Sequence, residues 1–146
     1  MDAQKTINEV LVRLFNEIWQ LEEEAIITED FKDISNNDMH VIEAIGIGEG
    51  NSMTKTAQKL NITVGSLTIA MNNLVLKEYV IRERSKIDRR IVNVKLTEKG
   101  EKAFYHHENY HKKMVEAVLE HLDENETVIL VDSLEKLMVF FRTYNK

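Results

Sequence analysis

Arg84 to Gly100 reads RSKIDRRIVNVKLTEKG, and it constrains the fold more than any other stretch of the chain. Tyr79–Arg84 before it and Ile91–Leu96 within it are strand-like. In the second, Val92, Val94 and Leu96 share one face while Ile91, Asn93 and Lys95 take the other, the period of two of a half-buried strand. Two short strands separated by a tight turn pair as a hairpin. Its tip, Ser85 to Arg90, carries Lys86, Arg89 and Arg90, with Asp88 placed to hold one arginine. A doubly basic turn of this kind is suited to entering the minor groove of a duplex, with Arg82 and Arg84 on the strand leading to it.

The segment before the hairpin carries no charge from Asn61 to Leu76. Val64, Leu67, Met71 and Leu74 recur at helical spacing and are expected to face the core, on a helix from about Thr63 to Lys77. That leaves Gly65, Ser66, Thr68, Ile69, Asn72 and Asn73 outward. A solvated helix usually shows Lys and Glu there. Small hydroxyl, amide and apolar groups instead suit base edges and thymine methyls. A shorter helix precedes it, opened by Ser52 or Thr54 and closed at Leu60, with Asn61 as the turn. Short helix, turn, longer helix is the helix-turn-helix pattern.

The remaining elements follow from periodicity and caps. Ile7, Val10, Leu11, Leu14, Phe15 and Ile18 predict a first helix over about 5–27. Met39, Val41, Ile42 and Ile45 predict a second, capped by Ser35 or Asn36 and ended by the cluster Gly46, Gly48 and Gly50. Thr97 opens a long helix to about His121, and Asp123 with Glu126 forms a capping-box pattern for a last helix to Tyr144. Val128, Ile129, Val131, Leu134, Leu137 and Met138 give that helix a broad apolar stripe. The expected class is mainly α with a small β-wing: a winged helix-turn-helix between amino- and carboxy-terminal helices.

Composition narrows the function classes. At 146 residues, one core is expected. The chain has no Cys, which excludes a disulfide framework and thiolate chemistry and fits a reducing cytosol. No run of about 18 apolar residues could span a bilayer, and MDAQKTINEV lacks a secretion-signal pattern. A cytoplasmic, nucleoid-associated protein with no membrane partner is expected. The net charge of −6 is unevenly spread: Lys77 to Lys102 is cationic, whereas Glu17 to Asp33 is strongly acidic. No phosphate-binding glycine loop, nucleophile elbow or metal-plus-base constellation argues for an enzyme.

The helix order, the wing DRRIVNVKLTEKG and the terminal helix pair together resemble the MarR family of bacterial winged-helix repressors. The resemblance covers all 146 residues. It implies a single chain with dimerisation helices at 1–34 and 101–146 around a DNA-binding module at 35–100. It further implies a homodimer on a pseudo-palindromic double-stranded operator, with half-sites about 34 Å apart. Within the family, FKDIS (Phe31 to Ser35), Met39 with His40, TVGSLTIAMNNL and the wing are most similar to the fatty-acid-synthesis repressors of Gram-positive bacteria. That likeness implies acyl-acyl carrier protein as a corepressor, with no cofactor required. It matches Thr68, Asn72 and Asn73 to the recognition helix, Asp88 and Arg90 to the wing pair, and Arg82 and Arg84 to basic strand positions. Trp19, Phe31, Ile34, Met39 and Phe104 are candidate effector-pocket residues. Glu78 departs from the pattern, where glycine is common after the recognition helix.

His107 and His111 are four apart on one helical face, a spacing at which two imidazoles can share zinc, with His40 as a third candidate. This resembles the zinc-sensing repressors of the same family. Those draw further ligands from Cys and carboxylates; Cys is missing here, and Glu24 or Glu29 could substitute. The other readings are plain polar or interfacial histidines, and histidines with a role in an effector pocket. A zinc- or small-ligand-responsive repressor therefore stands as the alternative, and a winged-helix protein-interaction module without DNA binding as the alternative of another class.

Overall fold

The first helix starts where Asp2 caps it, its carboxylate accepting from the Lys5 amide at 3.1 Å. The computed structural model of the chain describes residues 1–26, 28 and 30–144. Where periodicity predicts one uninterrupted helix over 5–27, the chain forms α1 (Ala3–Glu9), a π-helical turn (Val10–Leu14) and α2 (Phe15–Ile26). Nothing in VLVRL marks that turn, which has neither Gly nor Pro. Ile27 lies outside the described residues.

Ser35 and Asp38 then start α3 (Asn36–Ile45) with reciprocal side-chain to backbone bonds at 3.2 and 3.0 Å. Gly46 ends it at φ +76°. Ser52 caps α4 (Met53–Leu60), and Asn61 closes it in the left-handed region at φ 54°. Thr63 caps α5 (Val64–Leu76). Leu67, Met71 and Leu74 of α5 are fully buried. At about 1.5–3 kcal/mol for each such side chain, this face outweighs any helix propensity in holding α5 to the core. Val64, expected on the same face, is instead 43 % exposed, at the first residue of the helix.

The wing is larger than the hairpin that alternation predicts. β2 (Val80–Arg84) and β3 (Val92–Leu96) pair antiparallel, Arg82 opposite Val94, and a two-residue strand β1 (Asn51–Ser52) adds to the free edge of β3, giving the order β1-β3-β2. A strand of two residues has no periodicity to read. Gly50 admits it: at φ +78°, any Cβ there would stand 2.0 Å from the Val94 carbonyl oxygen.

Glu78 occupies the turn between α5 and β2 at φ 67°. The left-handed backbone that glycine usually supplies is thus adopted by a glutamate, at a cost of about 1 kcal/mol. Thr97 Oγ1 donates to its carbonyl at 2.6 Å and Tyr79 N to Leu74 O at 2.9 Å, so both sides of the turn are held.

The chain divides into two compact units, Met1–Glu108 and Asn109–Lys146. The core of the first joins Ile26, Phe31, Met39, Ile42, Tyr79 and Val94 to the buried face of α5. Helix α6 (Glu98–Glu120), started by Thr97, begins in this unit and continues into the second. The second unit also holds α7 (Glu124–Thr143), whose capping box joins Asp123 and Glu126 through two bonds of 2.9 Å. No residue of α7 is buried; Val128, Ile129 and Met138 are 52–68 % exposed. Among the described residues, no helix is long and apolar enough to cross a membrane.

Candidate nucleic-acid interface

Helix α5 presents Gly65, Ser66, Ile69, Asn72 and Asn73 to solvent, as the charge-free pattern predicts, with Thr68 half-buried at its margin. Ile69 is 76 % exposed, which is costly for a side chain with no partner and useful against a thymine methyl. The hydroxyls are already oriented. Thr68 donates to the Val64 carbonyl at 2.8 Å. Thr63 accepts from the Ser66 amide at 3.1 Å and donates to the Ser66 hydroxyl at 3.0 Å.

Strand β2 places Arg82 and Arg84 on the same side, two residues apart, by the pleat. Arg82 Nη1 donates to Asn72 Oδ1 at 2.6 Å. With Lys55, Thr68 and Arg90 these arginines line one open groove of about 1180 Å³ between the helix-turn-helix and the wing.

At the tip, Ser85 Oγ accepts from the amides of Ile87 and Asp88 at 3.2 Å each, and Arg84 Nη1 donates to the Arg89 carbonyl at 2.9 Å. Asp88 accepts three bonds from Arg90: from Nε at 3.0 Å, Nη2 at 2.9 Å and the backbone amide at 3.1 Å. This fork holds the Asp88 carboxyl below the ordinary carboxylate range, through the Arg90 side chain first and its amide second, and raises Arg90 in turn. Arg90 remains 90 % exposed. The charge is therefore aimed without being buried. Lys86 and Arg89 are exposed beside it.

A network that no sequence pattern announces anchors the far end of α5. Tyr79, fully buried, donates to Asp33 Oδ1 at 2.7 Å. Lys77 Nζ donates to the Asp33 carbonyl, and Lys99 Nζ lies 3.8 Å from Asp33 Oδ2 and 4.2 Å from the Tyr79 ring centre. The Tyr79 bond is the main reason the Asp33 carboxyl sits below its usual range; burial, desolvation first, raises the Tyr79 phenol.

Of the histidines, His107 is fully buried, its Nε2 2.9 Å from Glu22 Oε1 and 2.8 Å from Glu43 Oε1. His40 Nδ1 lies 3.6 Å from Glu43 Oε2, and its ring is 6.4 Å from that of His107. Glu22, on α2, escapes sequence reasoning because it opens the acidic run Glu22–Glu24, and Glu43, on α3, because a lone carboxylate among Val41, Ile42, Ala44 and Ile45 does not name its partner. Glu24 is exposed, and Glu29 lies outside the described residues. His111 falls in the second unit, one turn further along α6. Among the candidate effector residues, Phe31, Ile34 and Met39 belong to the hydrophobic core and Phe104 packs against it. Trp19 stands apart, 40 % exposed and stacked on His40 at 5.5 Å.

Residues 24–107, which contain the whole helix-turn-helix and wing, match the SarA/Rot family of transcriptional regulators. The chain belongs to that family. It is a DNA-binding transcriptional regulator of the winged helix-turn-helix class, a fold and family of regulators and not of enzymes. The chain is 27 % identical over 139 residues to the regulator YpoP of Bacillus subtilis, covering 93 % of this chain and 91 % of YpoP. The structure is similar to FabT of Streptococcus pneumoniae, solved in complex with DNA, at a TM-score of 0.90 and 34 % identity, covering 97 % of this chain and 99 % of FabT. A MarR variant from E. coli, solved with operator DNA, shares the fold at a TM-score of 0.64 and 23 % identity over 94 % of this chain and 99 % of its own. The MarR-type fold expected from the wing and helix order is the one found.

Proposed function

We propose that the chain is a repressor of fatty-acid-synthesis genes that binds a pseudo-palindromic operator as a homodimer, with acyl-acyl carrier protein as corepressor. Each subunit lays α5 in a major groove and inserts Arg90 in the flanking minor groove. The observation that carries the reading is the arrangement itself: an uncharged outward face on α5 beside an arginine-lined groove and a wing arginine held outward by Asp88. The likeness to FabT, solved on DNA at 34 % identity, supports it. The exposed apolar stripe of α7 and exposed Ile7, Val12 and Phe15 near the amino terminus supply surface for a second copy. An effector acts by binding more tightly to the subunit spacing that fits DNA, a coupling of typically about 1–3 kcal/mol.

The test is fluorescence anisotropy of the protein on a fatty-acid-synthesis promoter, with and without long-chain acyl-acyl carrier protein, across a salt series. Affinity should fall linearly in log–log with salt, drop on Arg90→Ala with a slope smaller by about 1, and rise with the acylated carrier. Weak, sequence-indifferent binding unaffected by Arg90→Ala would instead describe a protein-interaction module.

One observation favours a second reading of the effector. The carboxylate of Glu22 lies beside the buried imidazole of His107, and carboxylate with imidazole is a ligand combination that zinc accepts. For a zinc-responsive repressor, added Zn²⁺ should raise the melting temperature of the wild type and not of His107→Ala. Equal shifts in both would remove this reading.

A further inference from the structure

We infer that Asn72 and Arg82 act as one reading head that selects guanine in the major groove, Arg82 serving to lock the Asn72 amide with its NH₂ group outward. The inference rests on the placement of α5 in the major groove proposed above and goes beyond it by naming the base and the device.

A guanidinium has five N–H donors and no acceptor. Whatever faces Arg82 Nη1 at 2.6 Å must therefore be the amide oxygen of Asn72, so the usual ambiguity between the oxygen and nitrogen of an asparagine does not arise. With Oδ1 engaged, Asn72 offers Nδ2–H₂, and Arg82 keeps its remaining N–H groups. Both side chains are exposed, and Asn72 lies on the part of α5 opposite the buried Leu67, Met71 and Leu74. The surface that the pair shows to a groove is therefore rich in donors and poor in acceptors.

Base edges differ in how they meet such a surface. Guanine presents two major-groove acceptors, N7 and O6. Adenine presents one acceptor beside the N6 donor, thymine a single acceptor, O4, beside its methyl, and cytosine a donor, so only guanine offers two acceptors side by side. A free asparagine reads adenine by using its oxygen and its NH₂ together. The Arg82 bond diverts that oxygen, so donor meets donor at adenine N6, and the preference moves to guanine. Arg82 is thus a positioning residue for Asn72 as well as a cation in the groove. A lone phosphate-binding arginine has no need of the amide.

The experiment is selection of binding sites from a randomised duplex pool by the full-length wild type and four variants, Asn72→Ala, Asn72→Asp, Arg82→Ala and Arg82→Lys, each first checked for an unchanged melting temperature. The wild type should select one guanine per half-site that Asn72→Ala abolishes, with discrimination of roughly five- to a hundredfold lost at that position. Arg82→Ala should flatten or shift toward adenine the same position and no other. A fifth variant carrying both Asn72→Ala and Arg82→Ala should lose no more there than either single one, as coupled residues do. Asn72→Asp turns the outward group into an acceptor and should move the preference to cytosine. Replacing the selected guanine by 7-deazaguanine should weaken the wild type and leave Asn72→Ala indifferent. The inference is overturned if Arg82→Ala lowers affinity equally for all sequences, with the same base preferences and a shallower salt slope, since that is a phosphate contact alone. It is equally overturned if the position affected by Asn72→Ala is adenine in the wild type. If the wild type selects no sequence at all, the DNA-reading function itself fails. Should an alanine variant not fold, Asn72→Asp and Arg82→Lys, which keep size or charge, decide the same question.

Discussion

Tyr79 Oη donates to Asp33 Oδ1 at 2.7 Å across 46 residues of sequence, fastening the turn between α5 and β2 to the loop that precedes α3. Tyr79→Phe keeps the packing and deletes only this bond. A loss of about 1 kcal/mol is expected, or roughly 2–4 °C of melting temperature in a chain of this size. The pH dependence has a definite sign. Asp33 is held below 3.8 in the folded state, so its contribution is present above that value and lost as pH falls below it. Tyr79 is raised above 10.0, so its contribution is present below pH 10 and lost as pH rises beyond it. The advantage of the wild type over Tyr79→Phe in melting temperature should therefore shrink as pH falls below 3.8 and as it rises beyond 10.0; a difference that stays constant from pH 3 to 11 would show that the Asp33 carboxylate and the Tyr79 phenol proton do not carry it.

Gly100 opens α6 against the back of the same tyrosine, and a Cβ there would stand 2.1 Å from the Tyr79 carbonyl oxygen. Backbone cannot be displaced as a flexible side chain can. Gly100→Ala is expected to cost about 3 kcal/mol, at the upper end of ordinary overpacking. Urea unfolding monitored by circular dichroism would measure it, and a change under about 0.5 kcal/mol would contradict the close approach.

Gly65 makes the opposite case. A methyl there meets nothing nearer than Thr63 Oγ1 at 3.9 Å, and alanine favours helix over glycine by up to about 1 kcal/mol. Gly65→Ala should thus melt higher than the wild type while binding operator more weakly, because the added methyl stands on the face proposed to approach base edges. A variant both more stable and fully active would mean that α5 docks through another face.

His107→Leu removes the imidazole from between Glu22 and Glu43 and with it both contacts of 2.8–2.9 Å. Losing a buried hydrogen bond to a charged group costs roughly 1.5–3 kcal/mol. With Glu43 35 % exposed, the lower end is expected. Because the three residues come from α2, α3 and α6, the loss should appear as global destabilisation and as faster hydrogen exchange in all three helices. Protection lost in α6 alone would argue that the bridges carry little of the packing.

What local sequence could determine, it determined well. Ser35 with Asp38, Ser52, Thr63 and Asp123 with Glu126 are caps that act over three residues, and each starts its helix where the pattern places it. The alternation of Val92, Val94 and Leu96 reports one covered face directly. The uncharged outer face of α5 and the Asp88–Arg90 fork, two residues apart, belong to the same class. Other features exist only because distant segments meet. β1 is a strand only because β3 offers a free edge to Asn51 and Ser52. Val64, on the expected core face, is 43 % exposed at the first residue of α5, which no period of 3.6 can reveal. Asn72 with Arg82, Asp33 with Tyr79, and Glu22 with His107 join groups whose chemistry is ordinary until folding brings them within 3 Å. Hydrogen bonds and ion pairs act over a few ångströms, so sequence shows them only when the partners are neighbours along the chain; for the rest, the tertiary structure decides.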